Sequence, residues 1–243
     1  MKSRIKKILG YLFIYGIAMG FLEAIVVVYL RALFYPDGFC FPLKMMSNNI
    51  VFAELIREIT TIVMLLSISL IAGRNRLQSL AYFLFSFAVW DIFYYVGLKL
   101  FLNWPSSLLT WDILFLIPVV WLSPVIAPLI CSFTMILLAF ILLIMENRII
   151  DFKVKAAEWI LLCLGSFLIF ISFIYNYTGL LVSNQLVHEF FSSRQGNILE
   201  QITVTYIPDH FNWTLFIIGL LCIYLSIILI LRRSYQQIKN HSA

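Results

Sequence analysis

The sequence predicts an all-α integral membrane protein with about six transmembrane helices. Of its 243 residues, 63% are hydrophobic and only 12% are charged, and the mean hydropathy is +0.98. Soluble domains with a polar surface do not have such a composition. Six apolar runs are each long enough to cross the roughly 30 Å hydrocarbon core as a helix of about 20 residues. The runs lack the alternating pattern of barrel strands, and helices satisfy their backbone groups internally.

The six predicted helices belong to a single transmembrane domain that comprises residues 1–243. They cover about residues 8–34, 50–72, 79–102, 121–145, 157–182 and 211–231. The first run follows a basic segment, but it is longer than the apolar region of a secretory signal and no small-residue cleavage site follows it. We therefore interpret it as an uncleaved signal-anchor helix.

Lysine and arginine are distributed unequally between the two sides of this predicted bundle. Twelve of the 17 fall in the two terminal segments and in the connections after the second and fourth runs, whereas the opposite loops contain only Lys44 and Arg194. The positive-inside rule therefore predicts that both termini are cytoplasmic. These lysines and arginines account for the basic pI, so the pI does not indicate a nucleic-acid partner.

Two connections on the opposite, outer side have unusual sequences. Residues 104–118 are apolar but too short to span, which predicts either an interfacial helix or a re-entrant hairpin. Pro118, Pro124 and Pro128 then predict either a broken segment that frees backbone carbonyls or an ordinary helix start. Residues 183–209 form the longest outer loop, with enough apolar side chains to cover a site as a passive cap or as a moving lid.

Eight charged residues lie inside or beside the predicted helices and the 104–118 segment. A charge in hydrocarbon costs roughly 2.5–3.5 kcal/mol on insertion scales, so each needs a partner, water or a function. Because a helix rises about 1.5 Å per residue, all eight map to the middle or the outer half of the membrane. This asymmetry predicts a polar pocket open to the extracytoplasmic side; the alternative is that the charges only neutralise one another and fix helix registry. The eight are Glu23, Arg31, Glu54, Arg57, Glu58, Asp91, Lys99 and Asp112.

Three uses of this cluster compete. Glu58, Asp91 and Glu23 are candidate catalytic residues, because neighbouring desolvated carboxylates can hold a proton for acid–base or coupling steps. Carboxylate oxygens could instead surround a hard cation, or the basic residues could receive a phosphate or carboxylate headgroup. The candidate ligand-binding residues are Arg31, Glu54, Arg57, Tyr94, Tyr95, Lys99, Trp111, Asp112, His210 and Asn212.

Motifs of soluble enzymes are absent from the sequence. There is no CxxC, GxSxG, HExxH, phosphate loop or dinucleotide fingerprint, so we identify no metal site and no cofactor. His188 and His210 could form a two-histidine metal site, but surface histidines are several times more common. The four cysteines are interpreted as packing residues.

About a sixth of the chain contains a dense pattern of aromatic residues, aspartates and prolines. The pattern resembles a family of uncharacterised bacterial multi-pass membrane proteins. This resemblance implies a bacterial inner membrane and assigns no functional residue. The residues that carry it are Val89-Trp90-Asp91-Ile92-Phe93-Tyr94-Tyr95, Trp104-Pro105, Ser107-Leu108, Trp111-Asp112, Leu114-Phe115-Leu116-Ile117-Pro118, Trp121, Pro124-Val125 and Ala127-Pro128.

Three functions follow as hypotheses. The first is a protein of the bacterial cytoplasmic membrane that binds a polar or lipid-linked small molecule in the outer-facing pocket, including as a membrane-embedded enzyme with Glu58 and Asp91 as acid and base. The second is a proton- or cation-coupled transporter in which Glu23 and Asp91 alternate in access. The third is a structural or accessory subunit whose charges orient the helices.

Overall fold

The computed structural model describes residues 3–44, 46–183 and 207–242, which form six long helices and one small sheet. All six helices are long and apolar enough to cross a membrane, which confirms the predicted six-helix membrane protein. The elements are α1 (Ser3–Phe34), α2 (Asn48–Ala72), α3 (Arg76–Leu102), β1 (Trp111–Ile113), β2 (Leu122–Pro124), α4 (Ile126–Arg148), α5 (Ala156–Ser183) and α6 (Trp213–Ser242).

Two helix boundaries differ from the hydropathy pattern for identifiable reasons. α4 begins at Ile126 rather than near residue 121, because residues 122–124 pair with β1 instead of continuing the helix. Pro128 then lies in the first turn of α4, where a missing N–H removes no helical bond. α6 continues to Ser242, well past the apolar run, because hydropathy marks the membrane boundary and polar residues extend the helix beyond it.

The helices associate as two packed groups. α3 packs most extensively against α1 and α4 and also against α2, whereas α5 packs chiefly against α6. The two groups meet where α6 contacts α4 and where α5 contacts β2. Both groups contribute to one apolar core. Its most deeply buried large side chains are Tyr82, Leu142, Leu143, Phe216 and Ile230.

Glycines permit the closest approaches between helices. A Cβ on Gly20 of α1 would lie 2.6 Å from the Trp90 carbonyl oxygen of α3. A Cβ on Gly165 of α5 would likewise lie 2.6 Å from the Gly219 carbonyl oxygen of α6. Small residues at such crossings let backbones approach closely, which is how helices gain packing energy where lipid supplies no hydrophobic drive.

The apolar segment before α4 folds as a β-hairpin. Strands β1 and β2 are antiparallel, with Asp112 opposite Ser123. The ladder continues towards the tip, where the Leu114 amide donates to the Trp121 carbonyl (3.0 Å) and the Trp121 amide donates to the Phe115 carbonyl (2.8 Å). The structure therefore forms a hairpin, but over residues 111–124 rather than 104–118, because the second strand uses residues that hydropathy assigned to the fourth helix.

This hairpin reaches deep between the helices. The Leu116 amide at its tip donates to Glu58, which lies ten residues, or about 15 Å, along α2 from Asn48. The Trp121 ring packs against Phe173 of α5, with ring centroids 6.0 Å apart. Non-helical backbone at membrane depth is tolerated only where protein or a wet cavity surrounds it, and the hairpin meets this condition. We call its side of the bundle the hairpin side, and the opposite side, where both ends of the chain lie, the terminal side.

We expect Gly20→Ala to lower the midpoint of thermal unfolding in detergent by several degrees. The new methyl group must displace the α3 backbone, and overpacking of this kind costs about 1–3 kcal/mol. Gly10→Ala is the matched control, because a Cβ at Gly10 of the same helix meets nothing within 4 Å. Equal midpoints for the two variants would contradict the close α1–α3 contact.

Candidate functional site

A cavity of about 1180 Å³ lies inside the bundle and is lined by all six helices and the hairpin. It exists because α2 packs chiefly on α3 and α5 chiefly on α6, so neither helix fills the space between the two groups. The charged residues of the lining lie in its hairpin-side half, which we call the polar end. The lining of the other half, the apolar end, includes Leu80, Leu84, Leu138, Trp159 and Leu162.

Arg57 joins two of the predicted carboxylates at the polar end. Its Nη2 lies 2.7 Å from Glu54 Oε2 on the same helix, and its Nη1 contacts Glu23 of α1. The Thr61 hydroxyl also donates to Glu23 (3.3 Å). These contacts tie α1 to α2 and leave Arg57 with two acidic partners.

Glu58 lies one turn after Glu54 along α2 and has a different environment. Its side chain is buried, and both carboxylate oxygens accept from the Leu116 amide at 2.9 and 3.0 Å. Among the described residues, no basic group lies within ion-pair distance of Glu58. The carboxylate therefore holds the hairpin tip while its charge has no direct counter-ion.

Arg31 and Asp112 form the second ion pair of the polar end. Arg31 Nη2 lies 3.3 Å from Asp112 Oδ1, and both side chains are buried. The guanidinium carbon lies 4.4 Å from the centroid of the Phe39 ring and 3.8 Å from that of Trp104. Stacking on aromatic faces is a cation–π arrangement that stabilises a desolvated guanidinium.

Asp91 is the deepest charged residue of the cavity. The Ser132 hydroxyl of α4 donates to its carboxylate at 2.7 Å, and no described basic group pairs with it. Tyr94 lies about one turn further along α3 and lines the same cavity.

Tyr95 lies beside Tyr94, with ring centroids 4.9 Å apart, and both residues line the cavity together with Asp112. The structure thus brings nine of the predicted site residues to one cavity. They are Glu23, Arg31, Glu54, Arg57, Glu58, Asp91, Tyr94, Tyr95 and Asp112.

Four predicted ligand-binding residues do not line the cavity, and two of them are Lys99 and Trp111. Lys99 is exposed, and its ammonium donates to the carbonyls of Asn103 (3.3 Å) and Pro105 (3.0 Å) just after the end of α3. The Trp111 ring instead packs on Phe211, with centroids 6.3 Å apart.

His210 and Asn212 also lie outside the lining. His210 is exposed, and its backbone carbonyl accepts from the Asn176 amide. Asn212 Oδ1 accepts from the Leu215 amide at 3.1 Å, which caps the first turn of α6. His188 and most of the predicted loop or lid of residues 183–209 lie outside the described residues.

Three residues of the site were missed by sequence reasoning. Ser132 was a single hydroxyl in an apolar helix, and nothing in its spacing linked it to Asp91. Phe39 and Trp104 belong to a chain that is 16% aromatic, so no signal marked these two rings as partners of Arg31. Within the parts of the chain that the structure describes, no group of three or more His, Cys, Asp or Glu could hold a metal ion.

Comparison of the chain with models of protein families, with curated proteins and with solved structures finds no match. The class of this protein therefore follows from its fold alone. It is a multi-pass helical membrane protein.

We expect Arg57→Met to destabilise the protein far more than Lys99→Met. Removal of Arg57 leaves Glu23 and Glu54 buried without a cation, a change that costs about 3–5 kcal/mol in known cases. Loss of the exposed Lys99 removes only a helix-end interaction of roughly 0.3–1 kcal/mol. Thermal unfolding of both variants in the same detergent measures the difference, and similar losses would contradict the buried ion-pair assignment.

Proposed function

We propose that this protein resides in a bacterial inner membrane with both termini cytoplasmic and binds an amphipathic, lipid-linked ligand through a cavity open to the extracytoplasmic side. The observation that carries this proposal is the continuity of the polar and apolar ends within one cavity. A ligand with a polar group and a hydrocarbon tail matches both ends at once. The basic residues on the terminal side support the orientation, and the resemblance of residues 89–128 supports the bacterial setting.

The size of the cavity supports a lipid-like occupant. Its volume of about 1180 Å³ exceeds the roughly 300–1,000 Å³ of pockets for drug-sized ligands. Leucine side chains from α3, α4 and α5 line the apolar end. Burial against such a surface is unfavourable for a polar group that lacks a partner. A hydrocarbon tail has no such requirement.

Glu58 and Asp91 are the groups that this proposal makes available for proton transfer. Each is a carboxylate in the cavity wall, and neither forms an ion pair with a described residue. The other acids of the polar end are held by Arg57 or Arg31. If the bound ligand undergoes acid–base chemistry, these two carboxylates are the acid and the base.

The distribution of charge favours ligand binding over coupled transport. A proton or cation path needs polar groups along its whole length. All charged residues that line the cavity in the described structure belong to the polar end, and none of them lines the terminal-side half of the wall. This arrangement fits a site that opens to one side.

We expect Ser166→Trp to reduce the amount of lipid retained by the purified protein by about tenfold or more. Ser166 of α5 lines the cavity, and an indole there occupies the space of the tail. Leu164→Trp is the matched control, because Leu164 is exposed on the same helix outside the lining. Native mass spectrometry of lipids that remain bound after delipidation measures the effect. Equal retention by the two variants would refute the cavity as the lipid site.

We expect Glu58→Gln and Asp91→Asn each to abolish function while the protein stays folded. Both amides preserve side-chain shape, and the glutamine carbonyl can still accept from the Leu116 amide. Only the charge and the capacity to exchange a proton are lost. The measurement is complementation of a deletion strain that has a growth defect, with thermal unfolding as the test of folding.

Asp37→Asn is the control for this pair, because Asp37 is an exposed acid outside the cavity. Full complementation by both folded cavity variants would exclude a role for the two carboxylates. Loss of function in the control would show that the assay responds to charge in general.

A further inference from the structure

The helices around the cavity form an incomplete ring. α2 packs against α3, α3 against α4, α4 against α6 and α6 against α5. Within the described residues, α5 does not pack extensively against α2 or α3. The ring is therefore open between α5 and the α2–α3 pair, on a side of the bundle where a membrane protein meets lipid.

The hairpin closes this gap in the hairpin-side half only. At its tip, the Leu116 amide donates to Glu58 of α2 (2.9 Å). On its other side, the Trp121 ring packs on Phe170 and Phe173 of α5, with centroids 4.9 and 6.0 Å away. The α2 residues that line the cavity in the described structure end at Glu58. In the terminal-side half, no described α2 side chain therefore stands between the cavity and the gap.

Side chains on the two borders of the gap belong to the cavity wall. On α5, Trp159, Cys163 and Ser166 are spaced four and three residues apart, which places them on one helix face. All three line the cavity and are also exposed. Leu80 and Leu84 of α3 line the cavity from the opposite border and are half-buried. Positions that reach both the cavity and the exterior mark an opening, which we call the slot.

The two borders of the slot lie at matching depths. α3 begins at Arg76 and α5 at Ala156, both on the terminal side. At a rise of about 1.5 Å per residue, Leu84 lies about 12 Å along α3, whereas Trp159 and Ser166 lie about 4.5 and 15 Å along α5. The slot therefore runs from near the terminal-side end of the helices to about the middle of the bundle. Lipid hydrocarbon surrounds a membrane protein over most of this range.

We propose that the cavity opens sideways into the bilayer through the slot, and that the hydrocarbon tail of the bound ligand projects through it into the surrounding lipid. This inference rests on the proposed function and specifies how its ligand is held. The polar group stays at the polar end, the tail passes the hairpin tip, and the cavity sets no limit on the length of the tail. No charged residue borders the slot in the described structure, so the slot suits a hydrocarbon chain and offers no path to ions.

A sideways opening also suits the exchange of such a ligand. Moving a hydrocarbon tail through water is unfavourable for every methylene group that leaves lipid. A tail that slides through the slot stays in an apolar environment throughout.

The test compares tails that differ only at their far end. Phosphatidylethanolamine and phosphatidylglycerol are each prepared with ordinary acyl chains, as the parent lipid, and with a pyrene group at the end of one chain. Native mass spectrometry measures their binding to the purified full-length protein. We expect each pyrene lipid to bind within about threefold of its parent, because the bulky end lies outside the protein. An enclosed tail would have to place the pyrene inside a filled cavity, where overpacking is unfavourable.

Variants at the slot test the path of the tail. Cys163→Trp narrows the slot, so we expect it to weaken the pyrene lipids about tenfold relative to their parents. Leu164→Trp is the matched control, because Leu164 is exposed next to Cys163 but lies outside the lining. Ser166→Trp should abolish the binding of parents and pyrene lipids alike. Thermal unfolding shows which variants are folded.

A loss larger than threefold for the pyrene lipids in the unaltered protein would overturn the inference without any variant. So would the same ratio of pyrene to parent binding in folded Cys163→Trp and Leu164→Trp, or pyrene lipids that still bind to Ser166→Trp. If Ser166→Trp abolishes binding of the parent lipids in these cases, the cavity remains the lipid site and only the slot assignment fails. If Ser166→Trp leaves both parents bound, or if neither parent binds to the unaltered protein, the proposed function itself fails.

Discussion

The free-energy cost of burying charge in a low-dielectric interior determines which side chains pair on the hairpin side of this protein. Each buried charge needs a partner, and most of these partners belong to a different element. Arg57 of α2 holds Glu23 of α1, and Arg31 of α1 holds Asp112 of β1. Glu58 of α2 accepts from the amide at the hairpin tip. Electrostatic contacts therefore position α2 and the hairpin, while apolar packing positions α1 against α3.

The hairpin forms part of the cavity wall. A strand pair inserted among helices keeps its backbone satisfied by its own ladder and by Glu58, as low-dielectric surroundings demand. Because β2 uses residues that could otherwise extend α4, the helix starts late, and the hairpin contacts both Glu58 and α5. The hairpin thus contacts both helix groups at this end of the bundle.

A cavity with charge at one end and leucines at the other selects for amphipathic molecules. The two arginines differ in their partners, because Arg57 forms ion pairs with two acids whereas Arg31 forms one, with Asp112. Glu58 and Asp91 have no ion-pair partner among the described residues. A site built in this way binds through complementary charges on the ligand, and its apolar end gives the hydrocarbon part a place that water does not occupy.

Hydropathy and charge by themselves determined the six helices, the bias of basic residues between the two sides and the location of the charged cluster in the hairpin-side half. These properties depend on composition and on the rise of a helix, so they can be derived from one chain. Only the tertiary structure decided which charges meet. Lys99 binds carbonyls at the end of its own helix, whereas Ser132 and Trp104 join the site from distant segments. Sequence spacing gives the depth of a residue but not the direction it faces across elements, because helix rotation and the path of the hairpin are set by packing between residues far apart in the chain.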